Sequence, residues 1–228
     1  MGVKTFATFQ SDLKLQLGQF ENIDSHLDDW VNEAYLDFCT REYFWELKLP
    51  GKFYFPELVK IDGSRATAAN TKYISVPDGL ITVYHIHDTT NDKPLDYYEI
   101  QEYARKTGRA TSASYGKPTK WTRLESRFYF YPTPAAAYSL EIFYRKRPSL
   151  MSASTDVTEI DAMWDEPILK LAVIQSLMKI KRYDSAEQEK KEWMSMMGGK
   201  LGIYNRDKKS GKTPLQPDYA YKIAGRVI

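Results

Sequence analysis

The sequence predicts an α+β protein: a helical bundle of N-terminal helices plus a long late helix, with an inserted antiparallel β sheet or sandwich and an extended C-terminal tail. Three observations lead there. Apolar residues recur at spacings of three and four in residues 5–47 and again in 167–193, the signature of helices with one buried face. Between them the chain is rich in aromatic and β-branched residues punctuated by Gly, Pro and Asp turns. After Gly202 it turns polar, with the breakers Gly211, Pro214 and Pro217. The expected boundaries are residues 1–49 for the first helices, 50–148 for the β-rich insertion, 149–200 for a linker and the late helix, and 201–228 for the tail.

In chain order, Phe6, Phe9, Leu13 and Leu17 form one face of a first helix that Gly18 ends. Ser25 with Asp28 three residues on resembles a capping box, Asp standing in for Glu or Gln. From there Leu27, Trp30, Val31, Ala34, Tyr35, Phe38 and Trp45 make a broad apolar stripe that needs a partner helix. Pro50 and Gly51 close this block. Residues 52–61, 72–76 and 80–87 then read as strands, separated by the turn clusters Asp62-Gly63-Ser64 and Pro77-Asp78-Gly79. A short helical patch is expected over 96–105, followed by an exposed loop over 105–116. Residues 116–148 hold two runs, 127–131 and 138–144, expected to pair as an antiparallel unit. The prolines of Pro132-Thr133-Pro134 remove two ladder donors, so the chain must turn between the runs. After a polar linker, Asp165 is the expected N-cap of the late helix, with Pro167 in its first turn. Its register runs from Ile168 through Ile180, Tyr183, Ala186 and Trp193 until Gly198 and Gly199 stop it.

Composition sets the outer limits. The chain has 228 residues, 43% hydrophobic and 27% charged, so it can bury a substantial core. A net charge of +2 is too near neutral to point to nucleic acid by itself. The single cysteine, Cys39, excludes an internal disulfide and a cysteine-based zinc cluster. No apolar run reaches the ~18 residues a membrane span needs, and the N-terminus lacks a signal-peptide pattern, so no membrane partner is expected.

Several stretches carry a resemblance to a known family. The helical opening WVNEAYLDFCTREYFWELK, the Val76-Pro77-Asp78-Gly79 turn, the GKPTKW segment, the run FYFYPTPAAAYSLEIFYRKRP, and the Pro167 helix followed by Arg182-Tyr183-Asp184 look like a head-to-tail adaptor of tailed bacteriophages. The likeness runs over residues 5–193 and is most specific over 116–148. It implies a non-enzymatic virion protein at the head-tail junction, made in the bacterial host cytoplasm and working without cofactors. It further implies a dodecameric ring of copies between the portal protein and a tail nozzle or tail-tube protein, lining the channel through which DNA passes without sequence-specific contact. A C-terminal segment that docks on the portal is also implied. In this chain that role would fall to Leu215, Tyr219, Tyr221, Ile223, Val227 and Ile228, while Arg206, Lys208, Lys209 and Lys212 would meet phosphates or an acidic groove.

Other candidate chemistry has simpler accounts. The Trp30, Tyr35, Phe38 and Trp45 stripe reads as bundle core rather than a base-stacking platform. His85 and His87 share a strand face beside Asp88, without a third ligand at matching spacing, and read as polar strand surface. Cys39 reads as a small apolar core side chain. The carboxylate pairs Asp28 with Asp29 and Asp165 with Glu166 point apart on helices and suit capping. Two alternatives to the adaptor stay open: a nucleic-acid-binding module using the aromatics and the basic tail, and a virion cell-wall hydrolase, which requires two acids facing across a cleft. The adaptor reading draws support from an aromatic hairpin expected at the surface, where it would serve an interface.

Overall fold

The computed structural model describes residues 3–18, 20, 23–40, 55–108 and 114–209. These fall into two compact units, one formed by the chain up to Leu58 and from Arg147 onward, the other by Val59–Lys146. The first is helical and the second is built on a mixed sheet, so the fold is α+β with five α-helices among the described residues.

In the helical unit, α1 spans Phe6–Leu17 and buries the predicted Phe6, Phe9, Leu13 and Leu17. Thr5 caps it, its hydroxyl accepting from the Thr8 amide, and Gly18 ends it at φ 78°, a conformation that carries no penalty without a Cβ. A 3-10 turn, Asp24–His26, leads into α2, Leu27–Thr40. Ser25 therefore lies inside that turn instead of at an N-cap. The stripe Leu27, Trp30, Val31, Ala34, Tyr35 and Phe38 is buried as expected, together with Cys39. Trp45 and the Pro50-Gly51 stop lie outside the described residues.

The late helical block differs from its prediction in three places. Helix α4, Asp165–Lys179, begins one residue early: Trp164 is its N-cap, and the capping carboxylate belongs to Asp161, which accepts from the Met163 amide in the preceding 3-10 turn. Asp165 is instead a buried anchor, 3% exposed, accepting from the Lys4 amide at 2.9 Å and the Thr158 hydroxyl at 2.9 Å. Burial raises its carboxyl above the ordinary range, against the pull of those two donors. The single long helix is also broken. Lys181 adopts φ 62°, with its amide donating to Met178 O and the Arg182 amide to Leu177 O, a Schellman end built on lysine where glycine is usual. Helix α5, Tyr183–Lys209, then runs back along α4. Gly198 and Gly199 do not stop it. Trp193 and Met197 are buried just before them, Trp193 donating Nε1–H to the Pro167 carbonyl at 3.0 Å, and this anchoring outweighs the cost of two helical glycines, about 1 kcal/mol each. Residues 202–209 are accordingly helix rather than extended tail.

The sheet unit contains β1 (Val59–Ala66), β2 (Tyr73–Ser75), β3 (Leu80–Asp88), β4 (Lys93–Tyr97), α3 (Ile100–Gly108), β5 (Tyr115–Gly116), β6 (Lys120–Leu124), β7 (Arg127–Tyr131), β8 (Thr133–Pro134) and β9 (Ser139–Lys146). Seven strands run in the order β1-β9-β3-β4-β6-β7-β2, while β5 and β8 form a small parallel pair. The sheet is mixed, not antiparallel throughout: β4 and β6 are parallel because α3 lies between them in sequence as a crossover. The predicted pairing of 127–131 with 138–144 does not form. β7 pairs with β6 and β2, and β9 with β1 and β3. A tighter competitor wins, since Glu125 at φ 53° lets β6 and β7 join through the two-residue turn Glu125-Ser126. The Pro132 turn instead delivers β8 to β5.

Phe128 and Phe130 of β7, Leu140 and Ile142 of β9, Ile86, Leu95 and Trp121 make the sheet core. The predicted surface hairpin is therefore largely interior. Asp62-Gly63-Ser64 is not a turn between strands but part of a bulge within β1, between Asp62 and Arg65. The sheet curls until its two end strands meet through a side chain, Arg65 Nη1 lying 3.1 Å from Ser75 Oγ and 3.4 Å from Ser75 O.

Two outcomes test this description. Lys181→Gly should raise stability by about 1 kcal/mol by relieving the left-handed lysine, measured by urea unfolding. Asp165→Ala should destabilise by about 1–3 kcal/mol by orphaning two donors, whereas Asp165→Asn should be far milder. Because burial raises the Asp165 pKa, the folded state holds its proton to higher pH than the unfolded chain. That component of stability is present at low pH and is lost as pH rises from the unfolded carboxyl value through the raised one, so it should vanish in Asp165→Asn.

Candidate functional site

The outer face of the sheet along β6, β7 and β2 is a tyrosine cluster. Strand alternation puts Tyr129 and Tyr131 opposite the buried Phe128 and Phe130. Tyr103 of α3 meets Tyr129 edge-on at 5.8 Å, Tyr73 lies 5.5 Å from Tyr129, and Tyr98 lies 6.2 Å from Tyr131. Burial, then the neighbouring Tyr129, raises the Tyr103 hydroxyl pKa. Three cations rim the cluster: Lys120 sits 4.4 Å over Tyr98, Arg127 4.2 Å over Tyr73, and Lys72 6.0 Å from the Tyr129 centroid. Each such contact contributes about 0.5–1 kcal/mol at an exposed site.

The end of the sheet bounded by β1 holds the second charged group. Asp62 accepts from the Ser64 amide and hydroxyl and from Arg65 Nε at 2.8 Å. Partial burial opposes ionisation there, but these donors outweigh it and hold its carboxyl below the ordinary range. Both Asp62 and Arg65 pair in register with the core residues Ile142 and Leu140, so they point toward the inner face of the edge strand. Inward charge plus a bulge is a recognised way of keeping an edge from pairing.

His85 and His87 do share a strand face, their rings 5.9 Å apart, with His85 also 6.0 Å from Phe143. Burial and then the adjacent His87 lower the His85 pKa. His87 Nε2 lies 3.1 Å from an Asp92 oxygen, while Asp88 points to the other face and accepts from Thr90 and Asn91. Among the described residues no group of three or more His, Cys, Asp or Glu is placed to hold a metal ion. Cys39 is fully buried in the helical core. Asp28 accepts from Gln10, and Glu166 lies 3.7 Å from Lys4, so both acids sit against polar or charged partners on the helical unit. No helix among the described residues is long and apolar enough to cross a membrane.

Of the predicted contact residues, Arg206, Lys208 and Lys209 fall in the last turns of α5. Lys212, Leu215, Tyr219, Tyr221, Ile223, Val227 and Ile228 lie outside the described residues. The basic and tyrosine-rich rim of the sheet was not anticipated as a group. Lys72 is far in sequence from Lys120 and Arg127, and only the strand order β6-β7-β2 collects the three. The one local signal was in β7, where four consecutive aromatics, Phe128 to Tyr131, mean both faces are aromatic.

No curated protein matches the chain. A family profile described as SU10 adaptor protein matches residues 4–218, which spans both units and nearly the whole sequence. On that match the chain belongs to the SU10 adaptor protein family, a family of phage head-to-tail adaptors.

Proposed function

We propose that this protein is a structural joint of the virion, working as a ring of copies between portal and tail. The family match over residues 4–218 carries the reading. In this account twelve copies stand side by side around the channel through which DNA leaves the head. The helical unit supplies the rigid body and the sheet unit the surface for the nozzle or tail-tube protein. The cations Lys72, Lys120 and Arg127 are the one specific observation that favours nucleic-acid contact, and passing DNA met through its phosphates is compatible with the same ring.

The C-terminal segment is the proposed portal hook. Its apolar residues, Leu215, Tyr219, Tyr221, Ile223, Val227 and Ile228, are spaced among polar ones and too few to form a core of their own. Ordering such a segment costs about 1–2 kcal/mol per backbone residue, so it should dock only where a partner offers matching apolar pockets. Arg206, Lys208, Lys209 and Lys212 precede it and would face phosphates or an acidic portal groove.

Because α5 reaches Lys209, the informative truncation removes residues 210–228 and leaves the helix whole. The truncated chain should melt within a degree or two of the full chain and lose portal binding in a pull-down with portal rings. Portal binding at full-chain strength by the truncated protein would overturn the hook.

A further inference from the structure

Among the described residues, no strand pairs with the side of β2 that faces away from β7. β1 and β2 stand at opposite ends of the strand order, and among the described residues no register joins them. What spans the space between them is the side chain of Arg65, reaching Ser75. The two edges differ in how they are guarded. β1 carries the bulge and the Asp62–Arg65 pair, whereas β2 has neither. Along β2, the Lys72 carbonyl accepts from Phe130 and the Val76 amide donates to Ser126, both across to the β7 side. Antiparallel alternation then turns the amides and carbonyls of Tyr73 and Ser75 away from β7, toward the open side. The Arg65 contact to Ser75 O agrees with that direction.

The charge around this edge selects among occupants. Lys72 and Arg127 are exposed and lie over Tyr129 and Tyr73, and Arg65, paired with Asp62, adds a third cation. An extended segment that brings acidic residues fits this rim. The chain's own C-terminal segment does not: Lys208, Lys209, Lys212, Lys222 and Arg226 outnumber Asp207 and Asp218.

We propose that the open edge of β2 is a strand-acceptor site for an extended acidic segment of the protein on the tail side of the junction. An incoming strand would take the place of the Arg65 side chain at Ser75; backbone bonds to Tyr73 and Ser75 would supply affinity, and Lys72, Arg127 and the displaced Arg65 would supply selectivity for acidic flanks. The site is short, so a single copy binds weakly and a ring binds through many copies at once. This rests on the adaptor reading of the preceding subsection.

The test is amide hydrogen exchange on the full chain, free and bound to purified tails of the same phage, with portal rings as the control partner. Exchange at Tyr73 and Ser75 should be fast in the free chain and at least tenfold slower with tails, and unchanged with portal. Ser75→Pro removes the outward amide of an edge strand together with the hydroxyl that Arg65 contacts, so it should fold, keep portal binding, and lose at least tenfold in tail affinity, whereas Ser75→Ala, which removes the hydroxyl alone, should keep tail affinity within about twofold. The exchange comparison needs no variant and stands if that substitution disturbs folding. Tails that bind while Tyr73 and Ser75 stay unprotected would overturn the acceptor site alone. A chain that binds neither portal nor tails would overturn the adaptor reading and the site with it. Protection that appears in the concentrated chain alone and disappears on deleting residues 210–228 would make another copy's tail the occupant and overturn the assignment to the tail-side protein.

Discussion

Helix α4 is buried on nearly every side, and the architecture of the helical unit follows from that. Ile168, Leu169, Leu171, Ala172, Val173, Ile174 and Leu177 are all interior, which no single partner helix can achieve. α1 and α2 from before the sheet unit, and α5 from after it, each pack against α4. The two halves of the chain are thus obliged to meet, with the sheet unit emerging between Leu58 and Arg147. Polar bonds fix the fit. Asn32 exchanges two hydrogen bonds with the Met151 backbone, the Glu159 amide donates to Tyr35 Oη, Asp165 holds Lys4, and Trp193 holds Pro167. At the surface Lys170 lies 2.5 Å from Glu189 and 3.1 Å from Glu192, tying α4 to α5. These long-range ties, more than local helix propensity, hold α5 helical through its paired glycines.

The sheet unit solves a different problem. Its strands bury one face through Phe128, Phe130, Leu140 and Ile142, and the sheet curls around them. Curling brings the ends close without pairing them, and Arg65 occupies the space between. Aromatic side chains on the outer face of β7 are covered by α3 through Tyr103 and edged by cations. A family of adaptors needs parts that are stable alone yet keep surfaces for later partners. Each unit has its own core, and the proposed partner surface is the edge of β2 and its charged rim.

Much of the helical unit was legible because amphipathic spacing is a local signal. Phe6, Phe9, Leu13 and Leu17, the α2 stripe from Leu27 to Phe38, and the apolar run of α4 through Leu177 proved buried, whereas Met178 is exposed. The break at Lys181 was not legible, since a left-handed lysine leaves no glycine to announce it. Strands β3, β7 and β9 could be read, but their partners could not, because register is settled by which faces meet across the whole sheet. β4 was missed: it is five residues long and contains Pro94, which demotes a strand on propensity, yet it pairs with β3. The surface aromatic hairpin that favoured an adaptor dissolved into core, and the family reading stands on the match over residues 4–218 instead. The charged tyrosine rim was illegible for the same reason as the pairings, being assembled from β2, β6 and β7.

The measurement closest to the central claim is the mass in solution, by light scattering, of the full chain alone and then mixed with portal rings from the same phage. The account predicts a free chain near its 26.5 kDa monomer mass that joins the portal in a fixed number of copies per ring, consistent with one adaptor for each portal subunit. A portal ring whose mass is unchanged by excess chain would contradict it.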